Sequence, residues 1–287
     1  MIGAIEAGGT KFVCAVTEDG EKILDKVMIA TTTPAETLQK VVAFFDCFSI
    51  HAIGIGSFGP IDVNKDSPHY GYITSTPKVG WDYFNFIGSI REKYKVHVAW
   101  TTDVNASAYG EYHKGAARDV SSCLYLTVGT GIGGGAIING NILEGFSHPE
   151  MGHILVRKNK QDLFKGICPY HEDCLEGLAS GPAIEARYGV TATTLYNRKD
   201  VWELIADYLA QAIFTYTLAL RVEKVIIGGG VMNHTNLYIM IRQKFKQLMN
   251  DYISTPNLEE YIVAPALNDE QALIGCFLLA QDLLNKN

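Results

Sequence analysis

A glycine-rich turn between two strand-like segments restricts this chain more than any other feature. Ser121–Val128 is β-branched and apolar, as expected of a buried strand, and Gly129–Gly135 follows with five glycines in seven positions. A second strand pattern begins at Ala136–Asn139. Dense glycine builds little core, but it brings backbone N–H groups close to a ligand, and such groups suit phosphate oxygens. The alternative is a flexible hairpin turn that binds nothing.

Three of these glycines also match the dinucleotide-binding spacing G-x-G-x-x-G, namely Gly129, Gly131 and Gly134. That motif requires a strand, a turn and then a helix. Here the glycines lead into a second strand, because no helical period follows them. We therefore predict a β-hairpin with a phosphate-facing turn, and not a Rossmann site.

The N-terminus repeats the same plan of strand, glycine turn and strand. Ile2–Ile5 and Phe12–Val16 are strand-like and flank Glu6–Lys11, and a third glycine run, Gly228–Gly230, ends the strand-like segment Lys224–Ile227. Each half thus begins with a hairpin and continues as strands alternating with helices, which indicates a pseudo-repeat. Because each glycine turn ends a strand, we expect the turns to converge on a cleft between two domains, a favoured kind of ligand site.

The predicted fold class is therefore α/β, with two domains built on mixed sheets. We expect residues 1–117 to form the first domain and residues 118–267 the second, with a C-terminal helix at about 268–287 that packs back on the first. Within the first domain, residues 62–80 lack a period and are predicted to form a surface loop. Asp82 is predicted to cap a helix that runs through Tyr94.

Composition excludes several classes of function. The formal net charge of −7 and the lack of Lys/Arg runs argue against a nucleic-acid partner. No apolar stretch is long enough to span a membrane, and the chain starts with a strand pattern and not a signal peptide, so we expect a cytoplasmic protein. Six cysteines in 287 residues are not a disulfide scaffold. Those inside apolar patterns are predicted to be buried thiols: Cys14, Cys47, Cys123 and Cys276.

The other two cysteines belong to a metal-ligand pattern. Cys168, His171 and Cys174 have the spacing C-x-x-H-x-x-C, which lets one loop wrap a tetrahedral ion, and His153 upstream completes a Cys₂His₂ set. Four protein ligands leave no position for a reacting water, so we predict structural Zn²⁺. The alternatives are two free thiols with two surface histidines, or a Cys168–Cys174 disulfide, which a cytosolic redox state disfavours.

Taken in order and spacing, these motifs resemble the ROK family of sugar kinases, within the actin-like ATPase and hexokinase superfamily. The resemblance covers nearly the whole chain and is carried by Glu6–Lys11, Asp103–Asn105, Gly129–Gly134, Glu150–His153 and Gly228–Met232. Within the family the chain is most similar to bacterial fructokinases, through Ser57–Pro60, Thr76–Trp81 and His148–Glu150.

Two residues depart from common patterns. Glu6 stands where many superfamily members carry Asp, and its longer carboxylate still suits Mg²⁺ held through water. His171 stands where the more usual family pattern has a cysteine, a substitution that the similar fructokinases share.

The resemblance implies an ATP- and Mg²⁺-dependent hexose kinase, and specifically a fructokinase that makes fructose 6-phosphate. Asp103 is then the general base on the sugar hydroxyl, with helix N-cap as its alternative role. Asn105 would orient sugar hydroxyls, or else lie on a helix surface. Glu150, His153 and Glu176 would contact the sugar, and the alternative for the two glutamates is solvated charge.

The same resemblance assigns the nucleotide ligands. One end of the triphosphate would lie on Gly8, Gly9, Thr10 and Lys11, the other on Gly129, Thr130 and Gly131, with Mg²⁺ bridging the phosphates. Lys11 alternatively only flanks a strand. Gly228, Gly229 and Gly230 would let adenosine lie flat against the backbone.

The expected partners are a small-molecule sugar, ATP and a second copy of the chain in a homodimer. The rival functions are a broad hexose (glucose or mannose) kinase, a non-catalytic sugar-binding regulator and a filament-forming ATPase.

Overall fold

The computed structural model describes residues 1–234 and 236–285, and it divides into two compact units. The first unit comprises Met1–Arg118, Ile142–Pro149 and the residues from Ala266 on. The second comprises Asp119–Asn141 and Glu150–Pro265. Sequence analysis had placed Ile142–Pro149 inside the range 118–267, whereas the structure groups this segment with the first unit.

The elements up to residue 118 alternate strands and helices. In chain order they are β1 (Ile2–Ala7), β2 (Lys11–Thr17), β3 (Asp25–Ala30), α1 (Pro34–Phe45), β4 (Ala52–Ser57), β5 (Tyr72–Ile73), β6 (Phe84–Asn85), α2 (Phe86–Tyr94), β7 (His97–Thr102) and α3 (Asp103–Lys114).

The later elements repeat the hairpin and add longer helices. In chain order they are β8 (Cys123–Val128), β9 (Ile132–Ile138), β10 (Asn141–Ile142), α4 (Leu175–Ala179), α5 (Gly181–Tyr188), α6 (Lys199–Leu220), β11 (Lys224–Gly228), α7 (Leu237–Met249), α8 (Leu258–Tyr261), β12 (Ile262–Val263) and α9 (Gln271–Asn285). Short 3-10 turns lie at Met151–His153, Ala192–Leu195 and Gly230–Asn233. Residues 286 and 287 of the predicted last helix lie outside the described residues.

The sheet of the first unit has the strand order β3-β2-β1-β4-β7. Strands β1, β2 and β3 are antiparallel neighbours, whereas β4 runs parallel to both β1 and β7. One buried cluster around Phe12, Trp81 and Phe86 packs on this sheet, and a second cluster joins Ala4 to Phe277 of α9. Hydrophobic clusters thus cover the sheet, and they include side chains from helices of the same unit, such as Phe86 of α2 and Phe277 of α9.

Glycines allow α9 to lie directly on the backbone of the same unit. A Cβ at Gly54 would lie 1.9 Å from the carbonyl oxygen of Cys276, and one at Gly275 would lie 1.8 Å from that of Ala106. A Cβ at Gly110 would lie 2.2 Å from the carbonyl oxygen of Gln271. Strand β4 and helix α3 are therefore each in backbone contact with α9.

The sheet of the second unit has the order β10-β9-β8-β11-β12. Strand β8 is antiparallel to β9 and parallel to β11, so the two sheets share one plan and the predicted pseudo-repeat is confirmed. The hairpin is tighter than predicted, because Gly133–Gly135 belong to β9 and only Gly129–Gly131 form the turn. Gly134 is required inside the strand, since a Cβ there would lie 2.8 Å from both Leu126 and Met151.

A buried ion pair fixes a long loop of the second unit to its helices. Arg187 of α5 donates to the Asp162 carboxylate at 3.2 Å, and the Tyr208 hydroxyl of α6 donates to the same oxygen at 2.6 Å. The side chains of Arg187 and Asp162 are 6% and 4% exposed, and the guanidinium lies over the Phe164 ring. The Asn159 N–H also donates to the Tyr208 hydroxyl at 3.3 Å, so these contacts tie residues 159–164 to α5 and α6.

Three local predictions were wrong. Asp82 does not cap a helix, because Phe84–Asn85 pairs with Tyr72–Ile73 and the helix begins at Phe86 with Asn85 as its cap. Residues 62–80 are not only a surface loop, since they contain β5 and the fully buried Ile73. Cys47 is exposed, whereas Cys14, Cys123 and Cys276 are buried as predicted.

Among the residues that the structure describes, no helix combines the length and the apolar character that crossing a membrane requires.

Candidate active site and metal centre

The carboxyl ends of three parallel strands meet at one edge of the first sheet. Ala7, Ser57 and Thr102 end β1, β4 and β7 and are partners in register. Gly8, the first residue of the N-terminal glycine turn, and Asp103 therefore leave the sheet at the same edge, about 10 Å apart over two strand spacings. Ligands of parallel α/β sheets bind at this edge.

Asp103 occupies the first position of α3 and is not its cap. The Thr102 side chain accepts the N–H of Asn105 at 3.1 Å and is the N-cap, so the alternative role considered for Asp103 is wrong. The Asp103 carboxylate accepts the N–H of the next residue, Val104, at 2.9 Å. Gly56 gives it room, because a Cβ there would lie 3.2 Å from the Asp103 Cα.

Asn105 is buried, with 1% of its surface exposed, so a helix-surface role is also wrong. Its side-chain amide donates to the Thr101 hydroxyl at 3.1 Å. Its Oδ1 has no hydrogen-bond partner within residues 1–234 and 236–285. Because an unpaired buried carbonyl oxygen costs free energy, this atom fits a ligand hydroxyl.

The carbonyl oxygens of the N-terminal glycine turn all accept hydrogen bonds from the protein. Those of Ala7, Gly8 and Thr10 accept from Phe58 N–H (2.7 Å), the Thr31 hydroxyl (2.8 Å) and Thr31 N–H (3.0 Å). The oxygen of Gly9 accepts from the ammonium of Lys78. Oxygens that would repel a phosphate are thus occupied, and no heavy atom lies within 4 Å of a Cβ built on Gly9.

Glu6 and Lys11 lie at the two ends of this turn. Burial raises the pKa of the Glu6 carboxyl, with Lys11 opposing the rise and Asp269 adding to it. A divalent cation would offset that burial, since an opposite charge close by favours the carboxylate. Lys11 is exposed at the start of β2.

Backbone segments of the second unit converge around Gly129–Gly131. The Gly129 carbonyl accepts the N–H of Gly181, the first residue of α5, at 2.8 Å, and a Cβ on Gly129 would lie 3.9 Å from the Gly230 nitrogen. Gly229 has a φ of 94°, and a Cβ there would lie 2.5 Å from the Val128 oxygen. The structure thus brings the predicted phosphate and adenosine glycines together within this unit.

Glu150, His153 and Glu176 also lie close to one another. Glu150 is more than a third exposed. Partial burial of its carboxyl nevertheless raises the pKa, while His153 opposes that rise and Glu176 adds to it. The Glu176 carboxylate accepts the N–H of Ile132 at 2.8 Å, beside the glycine turn. Glu176 is therefore no purely solvated charge, because it holds the end of that turn.

The four predicted metal ligands form one cluster, with all ligand atoms within 4.8 Å of one another. Nδ1 of His153 lies 3.7 Å from Sγ of Cys168 and 3.5 Å from Sγ of Cys174, and Nδ1 of His171 lies 3.6 Å from Sγ of Cys168. Nitrogen and sulfur ligands of one tetrahedral zinc ion lie about 3.6 Å apart. Both cysteines are free thiols, so the disulfide alternative is wrong.

The ligand loop is shaped by its backbone. Cys168 and Glu172 exchange two backbone hydrogen bonds of 3.2 and 2.9 Å, and Glu172 has a φ of 52°. Burial raises the pKa of the Cys174 thiol to about 11. A cation at the cluster would reverse this, because coordination deprotonates a thiol.

Sequence reasoning missed three residues near these sites: Lys78, His148 and Gly181. Lys78 and His148 lie in motifs that only indicated the resemblance, and Gly181 had no sequence signal of a site. His148, for example, has its Nε2 3.0 Å from the Ile61 nitrogen and accepts that N–H. It thereby fastens Ile142–Pro149, which directly precedes Glu150, to the segment after β4.

Replacing His148 by glutamine should flatten the pH dependence of stability. Burial lowers the pKa of His148, with backbone hydrogen bonds and the charge of Glu144 acting in the opposite sense. The Ile61 N–H donates to Nε2 and therefore requires this nitrogen to be unprotonated. The unfolded chain, with a histidine pKa of about 6.5, then binds more protons than the folded one below that pH. His148 therefore contributes stability above about pH 6.5 that is lost as the pH falls through its lower folded pKa.

Urea unfolding of wild type and His148→Gln at pH 7 and pH 5 measures this contribution. At pH 7 the variant should unfold within about 1 kcal/mol of wild type, because a glutamine oxygen also accepts a hydrogen bond. At pH 5 it should have lost less stability than wild type. The exposed His51 offers a matched control, His51→Gln, which should keep the wild-type slope. An unchanged slope in His148→Gln would contradict the assignment.

Comparison with known proteins agrees with this fold. The model of the ROK family matches residues 2–283. A fructokinase from Pediococcus pentosaceus is 46% identical over 284 residues, covering 99% of this chain and 99% of the relative. A fructokinase from Lactococcus lactis subsp. cremoris is 46% identical over 287 residues, covering 99% and 98%.

Among solved structures, the ROK hexokinase from Thermus thermophilus superposes with a TM-score of 0.81 at 27% identity. The match covers 100% of this chain and 99% of that one. The fold is thus the α/β fold of sugar kinases, with two mixed sheets, as predicted from the sequence. The chain belongs to the ROK family.

Proposed function

We propose that this protein is an ATP-dependent fructokinase that makes fructose 6-phosphate. The observation that carries the proposal is the common sheet edge of Asp103 and the Gly8–Thr10 turn, which puts a carboxylate beside a candidate phosphate cradle. Kinases need this pair of features, a group that accepts the hydroxyl proton and a cradle for the phosphates. The fructokinase relatives at 46% identity support fructose as the sugar.

In this mechanism Asp103 accepts the proton of the sugar's primary hydroxyl while the oxygen of that hydroxyl forms a bond to the terminal phosphorus of ATP. The bond from that phosphorus to the bridging oxygen breaks, and ADP leaves. Asn105 accepts a second sugar hydroxyl at its unpaired Oδ1, and Glu150, His153 and Glu176 contact the sugar. Gly8–Lys11 and Gly129–Gly131 hold the phosphates, and Gly228–Gly230 the adenosine.

Two metals fit the residues present. Glu6 is suited to hold Mg²⁺ through water, and Mg²⁺ supplies neutralisation of phosphate charge when bound. Zn²⁺ fits His153, Cys168, His171 and Cys174, whose spacings match tetrahedral coordination. We assign the zinc a structural role, since the four side chains fill its coordination sphere.

We further infer a cytoplasmic homodimer. A reducing compartment fits the buried free thiols of Cys14, Cys123 and Cys276, and the homodimer is implied by the resemblance to ROK kinases. Light scattering of the purified protein gives the mass that tests the dimer.

ADP release with Mg-ATP, measured across fructose, glucose, mannose and N-acetylated hexoses, tests the function. Turnover on fructose well above that on the other sugars is the expected result. Similar turnover on several sugars would replace the fructokinase by a broad hexose kinase. No turnover on any sugar, with sugar binding retained, would make the protein a sugar-binding regulator.

A further inference from the structure

Lys78 places a cation on the N-terminal glycine turn, in a role that the preceding sites leave unassigned. Its ammonium donates to the carbonyl oxygen of Gly9, where an added Cβ would have no heavy atom within 4 Å. Lys78 lies in Thr76–Trp81, a motif that so far served only to indicate resemblance. Both residues belong to the first unit.

The backbone that carries Lys78 is firmly anchored. Trp81 is fully buried, donates from its indole N–H to the Thr32 oxygen at 2.7 Å, and packs 5.3 Å from the Phe12 ring. The backbone N–H of Trp81 donates to the carbonyl oxygen of Lys78 at 3.0 Å, and the backbone N–H of Lys78 donates to the Thr76 hydroxyl at 3.3 Å. These contacts hold the segment Thr76–Trp81, and with it Lys78, beside the turn.

The charge of Lys78 is not cancelled by an acidic neighbour. Within residues 1–234 and 236–285 no carboxylate oxygen lies within 4.0 Å of its ammonium, which donates to the Gly9 carbonyl oxygen. An ammonium carries three N–H donors, so two remain beyond the bond to Gly9. A cation with spare donors at a turn whose carbonyl oxygens are all occupied favours an anionic ligand.

We propose that Lys78 binds the terminal phosphate of ATP and neutralises the charge that develops there during transfer. This inference rests on the proposed kinase function and deepens it. Phosphoryl transfer depends mainly on positioning and on neutralising charge, so a lysine at the phosphate cradle acts on the chemical step.

Three substitutions separate the charge from the hydrogen bond to Gly9. Lys78→Met removes both, Lys78→Gln keeps a donor without charge, and Lys78→Arg keeps both. We expect Lys78→Met and Lys78→Gln to lower kcat about 10- to 100-fold with little change in KM for fructose, and Lys78→Arg to keep most of the wild-type kcat. Lys93→Gln, which removes an exposed lysine of the same unit, is the matched control and should keep wild-type kcat.

Binding provides a readout that does not need turnover. By calorimetry with Mg²⁺, Lys78→Gln should weaken the binding of the non-hydrolysable triphosphate AMPPNP about 10-fold, and the binding of ADP much less. If Lys78→Gln keeps wild-type kcat and AMPPNP affinity, Lys78 only holds the turn and the proposal is overturned. A rise in KM for fructose alone would assign Lys78 to the sugar and also overturn it. If wild type phosphorylates no sugar, the function proposal fails, while the ratio of AMPPNP to ADP affinity still decides the role of Lys78.

Discussion

With Asp103 replaced by alanine, the protein should bind Mg-ATP as before but phosphorylate fructose about 10³-fold more slowly. General bases contribute roughly 10²- to 10⁴-fold to a rate, and Asp103 is the carboxylate that begins α3 at the edge shared with the glycine turn. Because Thr102 caps the helix, the loss should come from chemistry and not from an unfolded α3. Single-turnover rates and nucleotide affinity, measured on the same preparations, separate the two effects.

A second variant removes the remaining ambiguity. Asp103→Asn keeps an oxygen for the Val104 N–H but cannot take up a proton, so it should be nearly as slow as alanine. Asp25 makes the same local bond, to the N–H of Lys26 at 2.8 Å, on an exposed strand. Asp25→Asn should therefore keep wild-type turnover. An active Asp103→Asn enzyme would falsify the assignment of Asp103 as base.

The plan of the fold could be predicted from sequence because its signals are local. Glycine runs end β8 and β11. A strand pattern follows the first of them, and this pattern, which is visible without any knowledge of tertiary contacts, rules out a Rossmann turn. The Cys-x-x-His-x-x-Cys spacing likewise predicts its own cluster, since one short loop supplies three ligands. His153 was added from 15 residues upstream, and the structure places its Nδ1 3.7 Å from Sγ of Cys168.

Predictions failed where tertiary contacts determine the local structure or the burial of a residue. Asp82 has the side chain of a helix cap, but pairing of Phe84–Asn85 with Tyr72–Ile73 delays the helix to Phe86. The alternative of an exposed helix position for Asn105 is wrong as well, because its side chain is buried and donates to the Thr101 hydroxyl in β7. Cys47 lies in an apolar pattern at the end of α1, where the chain leaves the core.

The role of Lys78 could not be predicted for a related reason. Nothing in its own segment shows that it meets Gly9, 69 residues earlier in the chain. The contact exists because the aromatic packing of Trp81 on Phe12 brings Thr76–Trp81 onto the turn that precedes β2. Long-range packing of apolar residues thus places a charged residue whose own sequence signal is weak.

Replacing Cys174 by serine should remove the metal and cost more than about 4 kcal/mol of unfolding free energy, as losses of a structural metal do. Cys174 is fully buried, 3.5 Å from His153, and it precedes α4, which carries Glu176. Residues 165–174 should become mobile, whereas residues 159–164 stay ordered, because the Arg187–Asp162 pair holds them without metal. KM for fructose should rise more than the Kd for ATP.

Metal analysis, urea unfolding and amide exchange of wild type and Cys174→Ser measure these effects. Wild type purified without added zinc should contain close to one zinc per chain, and the variant close to none. Cys47→Ser is the matched control: the exposed Cys47 thiol donates to the Ala43 oxygen of α1, and its replacement should leave zinc content and stability unchanged. If wild type contains no zinc and is fully active, the assignment of a structural zinc is wrong. Zinc loss with an unchanged KM for fructose would show that the loop does not position the sugar ligands, because Glu150, His153 and Glu176 would then keep their places without it.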